Sequence, residues 1–106
     1  MSSKLEGRSV LFIAADGVEQ VELTQPWDAL KQAGAQLTLA APSAGEIQAM
    51  NGMDKGDTFT AERALADVSV ADFDALVIPG GVANPDTLRL EKKAVALVRD
   101  FIEADK

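Results

Sequence analysis

The hydrophobic positions of this chain alternate between two spacings. Val10-Leu11-Phe12-Ile13-Ala14 is apolar at every position, the pattern of a parallel strand covered on both faces rather than of an antiparallel strand with one wet face. Asp16-Gly17 ends that run. From about Glu19 to Ala33 the spacing becomes helical: Leu23, Trp27 and Leu30 recur at i, i+4 and i+7, and Gly34 supplies the stop. Pro26 interrupts the stripe. An interior proline costs about 3 kcal/mol, so the spacing predicts an irregular entry turn over Val21 to Gln25 and a regular helix that starts close to the proline. Gln36 to Ala41 reads as a second strand closed by Pro42. Ser43 to Asp57 is an excursion containing Gly and Met residues, with a short hairpin around Ile47. Beyond it the pattern predicts a short strand near Phe59, a helical turn around Leu65 and a connection to Phe73. Ala75-Leu76-Val77-Ile78 is a third buried strand that runs into Pro79-Gly80-Gly81. A last helix is expected from about Leu90 to Ala104, with Leu90, Ala94, Leu97, Val98, Phe101 and Ile102 on its inward face.

Strand, helix, strand, excursion, strand, helix is the opening of a doubly wound α/β sheet. Right-handed crossovers put the first strand between the second and the third. Ligands of such sheets bind where the winding reverses, beyond the carboxyl ends of the strands. The crevice is therefore expected between Ala15-Asp16-Gly17, which leads to Glu22, and Gly80-Gly81. No repeat or linker divides the chain, so residues 1–106 are read as one α/β domain. The apolar face of the last helix calls for a further strand, and the domain is expected to be incomplete, stopping before the strand that would carry a nucleophile.

Composition narrows the chemistry. The sequence has 106 residues, of which 47% are hydrophobic and 25% charged, the values of a folded protein rather than a disordered one. Its 17 acidic and 10 basic residues give a net charge of −7, which disfavours phosphate backbones and anionic lipid; neither nucleic-acid nor membrane partners are expected. The amino-terminal residues lack an apolar signal segment and no run is long enough to span a bilayer, so a cytoplasmic protein is expected. There is no cysteine and no histidine. Disulfides and thiolate metal sites are thereby excluded, and no resident metal or cofactor is expected.

Two features carry candidate chemistry. Adjacent glycines at Gly80 and Gly81 allow neighbouring N–H groups to converge on an anion or a developing oxyanion, or they form a plain strand-exit turn. Glu22, with Glu19 nearby, lies near a helix N-terminus where the dipole favours negative charge; alternatively its carboxyl turns into the crevice, where burial and a neighbouring anion keep it protonated as a donor. Ser9, Thr24 and Ser43 have no imidazole or lysine partner at a recognisable spacing and read as structural hydroxyls. Trp27, Met50 and Met53 line either core, pocket or subunit contact, and Arg89 either clamps a carboxylate or forms a surface ion pair.

The stretch Ala14-Ala15-Asp16-Gly17-Val18-Glu19-Gln20-Val21-Glu22-Leu23, with Pro26 and Leu30 to Gly34, resembles the PfpI intracellular-protease family. So do Phe73 to Gly81 and Pro85-Asp86-Thr87-Leu88-Arg89. This family, DJ-one/PfpI, lies in the class I glutamine amidotransferase-like superfamily, and within it the chain is most similar to the bacterial general-stress branch. The resemblance runs from about Val10 to Lys106 and implies a flavodoxin-like fold. It also implies that Glu22 hydrogen-bonds a nucleophilic cysteine and that the Gly80 and Gly81 N–H groups help form an oxyanion hole. The cysteine, commonly followed by histidine, stands after the next strand in the family, and neither is present here. Family members are described as peptidases, deglycating or glyoxalase-like enzymes, or stress proteins, typically as dimers or larger oligomers.

Rival readings fit less well. A phosphoacceptor domain needs an aspartate after the third strand, where Pro79-Gly80-Gly81 stands. A flavin module needs a hydroxyl-rich phosphate loop where Asp16-Gly17-Val18-Glu19 is acidic, and no G-x-G-x-x-G fingerprint is present. Two expectations follow from these residues. One is the amino-terminal part of a cysteine-dependent hydrolase or lyase, inactive by itself, acting on a small carbonyl or peptide substrate when complete. The other is a non-catalytic interaction module, a half-domain that closes its sheet by pairing with a second copy.

Overall fold

The computed structural model describes residues 6–79 and 92–104. Its centre is β1 (Ser9–Ile13), the all-apolar run, flanked on one side by β3 (Gln36–Ala41) and on the other by β7 (Ala75–Val77). Both neighbours are parallel to it, in registers that set Phe12 opposite Leu39 and Val77. A two-residue strand β6 (Arg63–Ala64) extends the sheet beyond β3, giving the order β6-β3-β1-β7. The first strand thus lies between the second and third buried strands, as right-handed crossovers require.

Alternation along β1 builds two separate cores. Val10, Phe12 and Ala14 point to one face, where they meet Leu23, Trp27 and Leu30 of helix α1 (Gln20–Gln32). Leu11, Ile13 and Ala15 point to the other, against Leu65, Phe73, and Leu97 and Phe101 of helix α2 (Lys92–Glu103). Phe12 is fully buried and meets Trp27 edge-on, with ring centroids 5.0 Å apart and planes 64° from parallel. With a helix on each face the sheet is doubly wound.

A second sheet consists of β2 (Val18–Glu19), β4 (Gly45–Asn51) and β5 (Asp54–Ala61) in the order β2-β4-β5. The excursion is thus a full hairpin, longer than the short one expected around Ile47. The strand expected near Phe59 is its return arm, with Ile47 and Phe59 facing each other across it. Pairing an apolar residue on each arm against the first core drives this extension, a long-range match that local spacing does not carry. Short 3-10 turns at Leu65–Asp67 and Val70–Asp72 then lead to β7.

Three further expectations need correction. Pro26 lies inside α1, and Val21 to Gln25 are helical rather than an irregular entry; burial of Leu23 and the Phe12–Trp27 contact outweigh the lost rung. Strand β7 stops at Val77, and Ile78 is exposed. Ile102 is 72% exposed while Leu97 and Phe101 are buried, because the inward stripe of α2 is centred on that i, i+4 pair and Ile102 sits about 100° around the helix from Phe101. Leu90 lies outside the described residues.

Gly34 ends the α1 segment at φ +96°, and a Cβ there would stand 3.3 Å from the backbone of Glu6. Gly34→Ala is expected to cost about 1–2 kcal/mol through the left-handed backbone alone, read as a lowered urea midpoint at unchanged slope.

Candidate functional site

Parallel pairing of β1 with β7 brings their carboxyl ends to the same edge of the sheet. From β1 the chain runs through Ala14, Ala15, Asp16 and Gly17 into β2 and the first turn of α1, which carries Glu22. From β7 it runs through Ile78 and the buried Pro79 toward Gly80. Gly80, Gly81 and Arg89 lie outside the described residues. Glu22 is exposed, so among the described residues the buried carboxyl envisaged from the sequence is not formed.

The other acidic residues of the β1–α1 turn face the hairpin. Asp16 Oδ1 accepts the Gln48 N–H at 2.8 Å, and the Gly17 N–H donates to the Gln48 carbonyl at 2.9 Å. Both carboxylate oxygens of Glu19 accept from the Gly52 N–H, at 3.2 and 3.1 Å. Glu19 occupies the N-cap position of α1 yet makes no side-chain cap bond to the helix. Next to it, Gln20 Oε1 accepts the Asp57 N–H at 2.7 Å and Gln20 Nε2 donates to Asp57 Oδ2 at 3.0 Å. The sequence assigned neither Gln20 nor Asp57 a role of its own. Their partnership joins residues far apart in the chain, and no local pattern signals it.

The remaining candidates take structural places. Ser9 is a strand residue whose N–H donates to Asp74 Oδ2 at 2.9 Å. Ser43 is exposed beyond Pro42. Thr24 and Trp27 line a half-open pocket of about 310 Å³ with Phe59 and Glu62, away from the β1–β7 edge. Met50 is half-buried in β4 and Met53 is 96% exposed at the hairpin tip. A second cleft, of about 430 Å³, opens at the carboxyl ends of β1 and β3 between Asp16 and Ser43. Among the described residues no group of three or more His, Cys, Asp or Glu could hold a metal ion, and no helix is long and apolar enough to cross a membrane.

The family model described as "DJ-1/PfpI family" matches residues 8–106, which include β1, the Glu22 turn, β7 and the glycine pair. The chain belongs to the DJ-1/PfpI family. It is 37% identical over 97 residues to Deglycase TK1284 of Thermococcus kodakarensis, covering 92% of this chain and 55% of that protein. It is 32% identical over 100 residues to General stress protein 18 of Bacillus subtilis, covering 94% of this chain and 56% of that one. The fold superposes on a two-domain protein of Anabaena variabilis with DJ-1/ThiJ/PfpI-like and ferritin-like domains, at TM-score 0.85 and 27% identity over 93% of this chain and 28% of that chain. The chain therefore spans about half the length of the curated DJ-1/PfpI relatives it matches.

Proposed function

We propose that this chain forms the amino-terminal wall of a PfpI-type cysteine-dependent active site, in a hydrolase or stress protein of deglycase, peptidase or glyoxalase-like activity. The observation that carries the reading is the adjacency of the β1 and β7 carboxyl ends, which sets the turn leading to Glu22 and the chain leaving Val77 through Pro79 on one edge of the sheet. In this reading Glu22 hydrogen-bonds a thiol supplied from outside the 106 residues, and the Gly80 and Gly81 N–H groups receive the oxyanion when the thiolate adds to a carbonyl carbon. Two facts support an external thiol: the chain contains neither cysteine nor histidine, and its relatives are nearly twice as long. The edge of the parallel sheet at β7 favours assembly. Among the described residues β7 pairs with β1 alone, and all three of its residues are half-buried where those of β1 are almost wholly covered.

Nucleophilic attack needs the sulfur, so the purified 106-residue chain is expected to consume no methylglyoxal and to cleave no peptide. Joining it to the carboxy-terminal portion of the Thermococcus relative is expected to create a thiol of lowered pKa and a measurable turnover. Turnover by the 106-residue chain alone would overturn the reading, as would a folded chimera whose thiol titrates like free cysteine near 8.5.

A further inference from the structure

We infer that the β4–β5 hairpin, through a clamp of Gln20 on Gly56 and Asp57, sets the position of Glu22, making Gln20 a positioning residue for the site; this rests on the role proposed for Glu22 above. The helix has fewer internal restraints than usual at that turn. Pro26 has no N–H, so the ladder bond that would end on the Glu22 carbonyl cannot form. The N-cap residue Glu19 gives the helix no side-chain cap, having turned its carboxylate to Gly52 on the hairpin. Both of the usual internal restraints on a first turn are thus missing at Glu22.

The hairpin supplies the restraint instead. Gln20 uses both ends of its amide on Asp57, accepting from the backbone N–H at 2.7 Å and donating to the carboxylate at 3.0 Å. Gly56 makes room for this: a Cβ at that position would overlap Gln20 Oε1. From the other side Gln48 Nε2 donates to the Gly56 carbonyl at 2.9 Å and to the Ala49 carbonyl at 2.8 Å, tying the two arms of the hairpin together beneath the clamp. Gly56 is not among the positive-φ glycines. A side chain there therefore displaces the Gln20 amide without straining the backbone, while coming within 3.1 Å of Asn51 Nδ2, and Gly56→Ala releases the clamp.

The test uses the 106-residue chain and needs no activity. In Gln20→Ala and in Gly56→Ala the amide order parameters of Val21 and Glu22 are expected to fall from about 0.85 toward 0.6 or below, with β1 and β3 unchanged. The carboxyl carbon of Glu22 is expected to change its chemical shift in the same variants. Gln20→Glu keeps the shape but sets a carboxylate against that of Asp57 and is expected to move both readouts, which a merely space-filling role would leave unchanged; the double variant Gln20→Glu/Asp57→Asn exchanges donor and acceptor across the clamp and is expected to restore them. Unmoved Glu22 signals in Gln20→Ala, in a chain that urea unfolding shows to be native, would overturn the inference. That result concerns the position of Glu22 only; whether Glu22 meets a thiol is decided separately in the chimera.

Discussion

Glu22→Ala in the chimera is expected to lower kcat/KM for a small dicarbonyl by about 10²-fold, the lower end of what a positioned proton donor or acceptor contributes. The sign of the accompanying thiol shift distinguishes two roles for the carboxyl. A protonated Glu22 donates to the sulfur and favours the thiolate, so its removal raises the thiol pKa; an ionised Glu22 repels the thiolate, so its removal lowers it. The proposed role requires a rise, of about one unit or more, equivalent to about 1.4 kcal/mol. Glu22→Gln keeps an N–H donor and removes ionisation, and is expected to hold the thiol pKa near that of the parent chimera. The pH dependence of alkylation by iodoacetamide reads all three proteins. An unchanged rate and pKa in Glu22→Ala would remove Glu22 from the site.

Phe12→Ala carries the largest expected loss of stability. Its ring is fully buried at the centre of the sheet and closes edge-on against Trp27. Truncating a buried phenylalanine costs about 3–5 kcal/mol, against a total of about 5–15 kcal/mol for a domain of this size. Part of that loss, about 0.5–1.5 kcal/mol, belongs to the aromatic pair. Trp27 is the one tryptophan in the sequence, so its emission reports both the local change and the urea transition. Met53→Ala is the control, because that side chain is 96% exposed and surface changes stay within about 0.5 kcal/mol. Equal midpoints for Phe12→Ala and Met53→Ala would contradict the arrangement of the first core.

The parallel sheet was legible in the sequence because its central strand is apolar on both faces and its neighbours are short, largely apolar runs. Val10 to Ala14 and Gln36 to Ala41 needed only their own residues and the flanking Gly and Pro to be placed, and the strand order followed from crossover handedness. The hairpin was legible only in part. Gly45–Asn51 and Asp54–Ala61 carry many polar residues, and their partnership rests on one apolar pair, Ile47 with Phe59, together with side chains of Gln48, Gln20 and Asp57. Such contacts leave no periodic trace in a single chain. Pro26 misled for a related reason: its local cost is visible in the sequence, whereas the burial of Leu23 that offsets it depends on β1 and the hairpin being in place. For the candidate site, Glu22 and the glycine pair were singled out from strand ends and the family resemblance, whereas the bonds of Gln20 to Asp57 and of Glu19 to Gly52 carry no such signal.

Separation along the chain gives the clamp a further consequence during synthesis. Gln20 and Asp57 are 37 positions apart, and Glu19 and Gly52 are 33 apart. A ribosome adds about 5–20 residues per second, so the turn emerges seconds before the groups that immobilise it. A nascent chain therefore passes through a stage in which its first strand segment has emerged while the hairpin groups that bond its acidic turn have not.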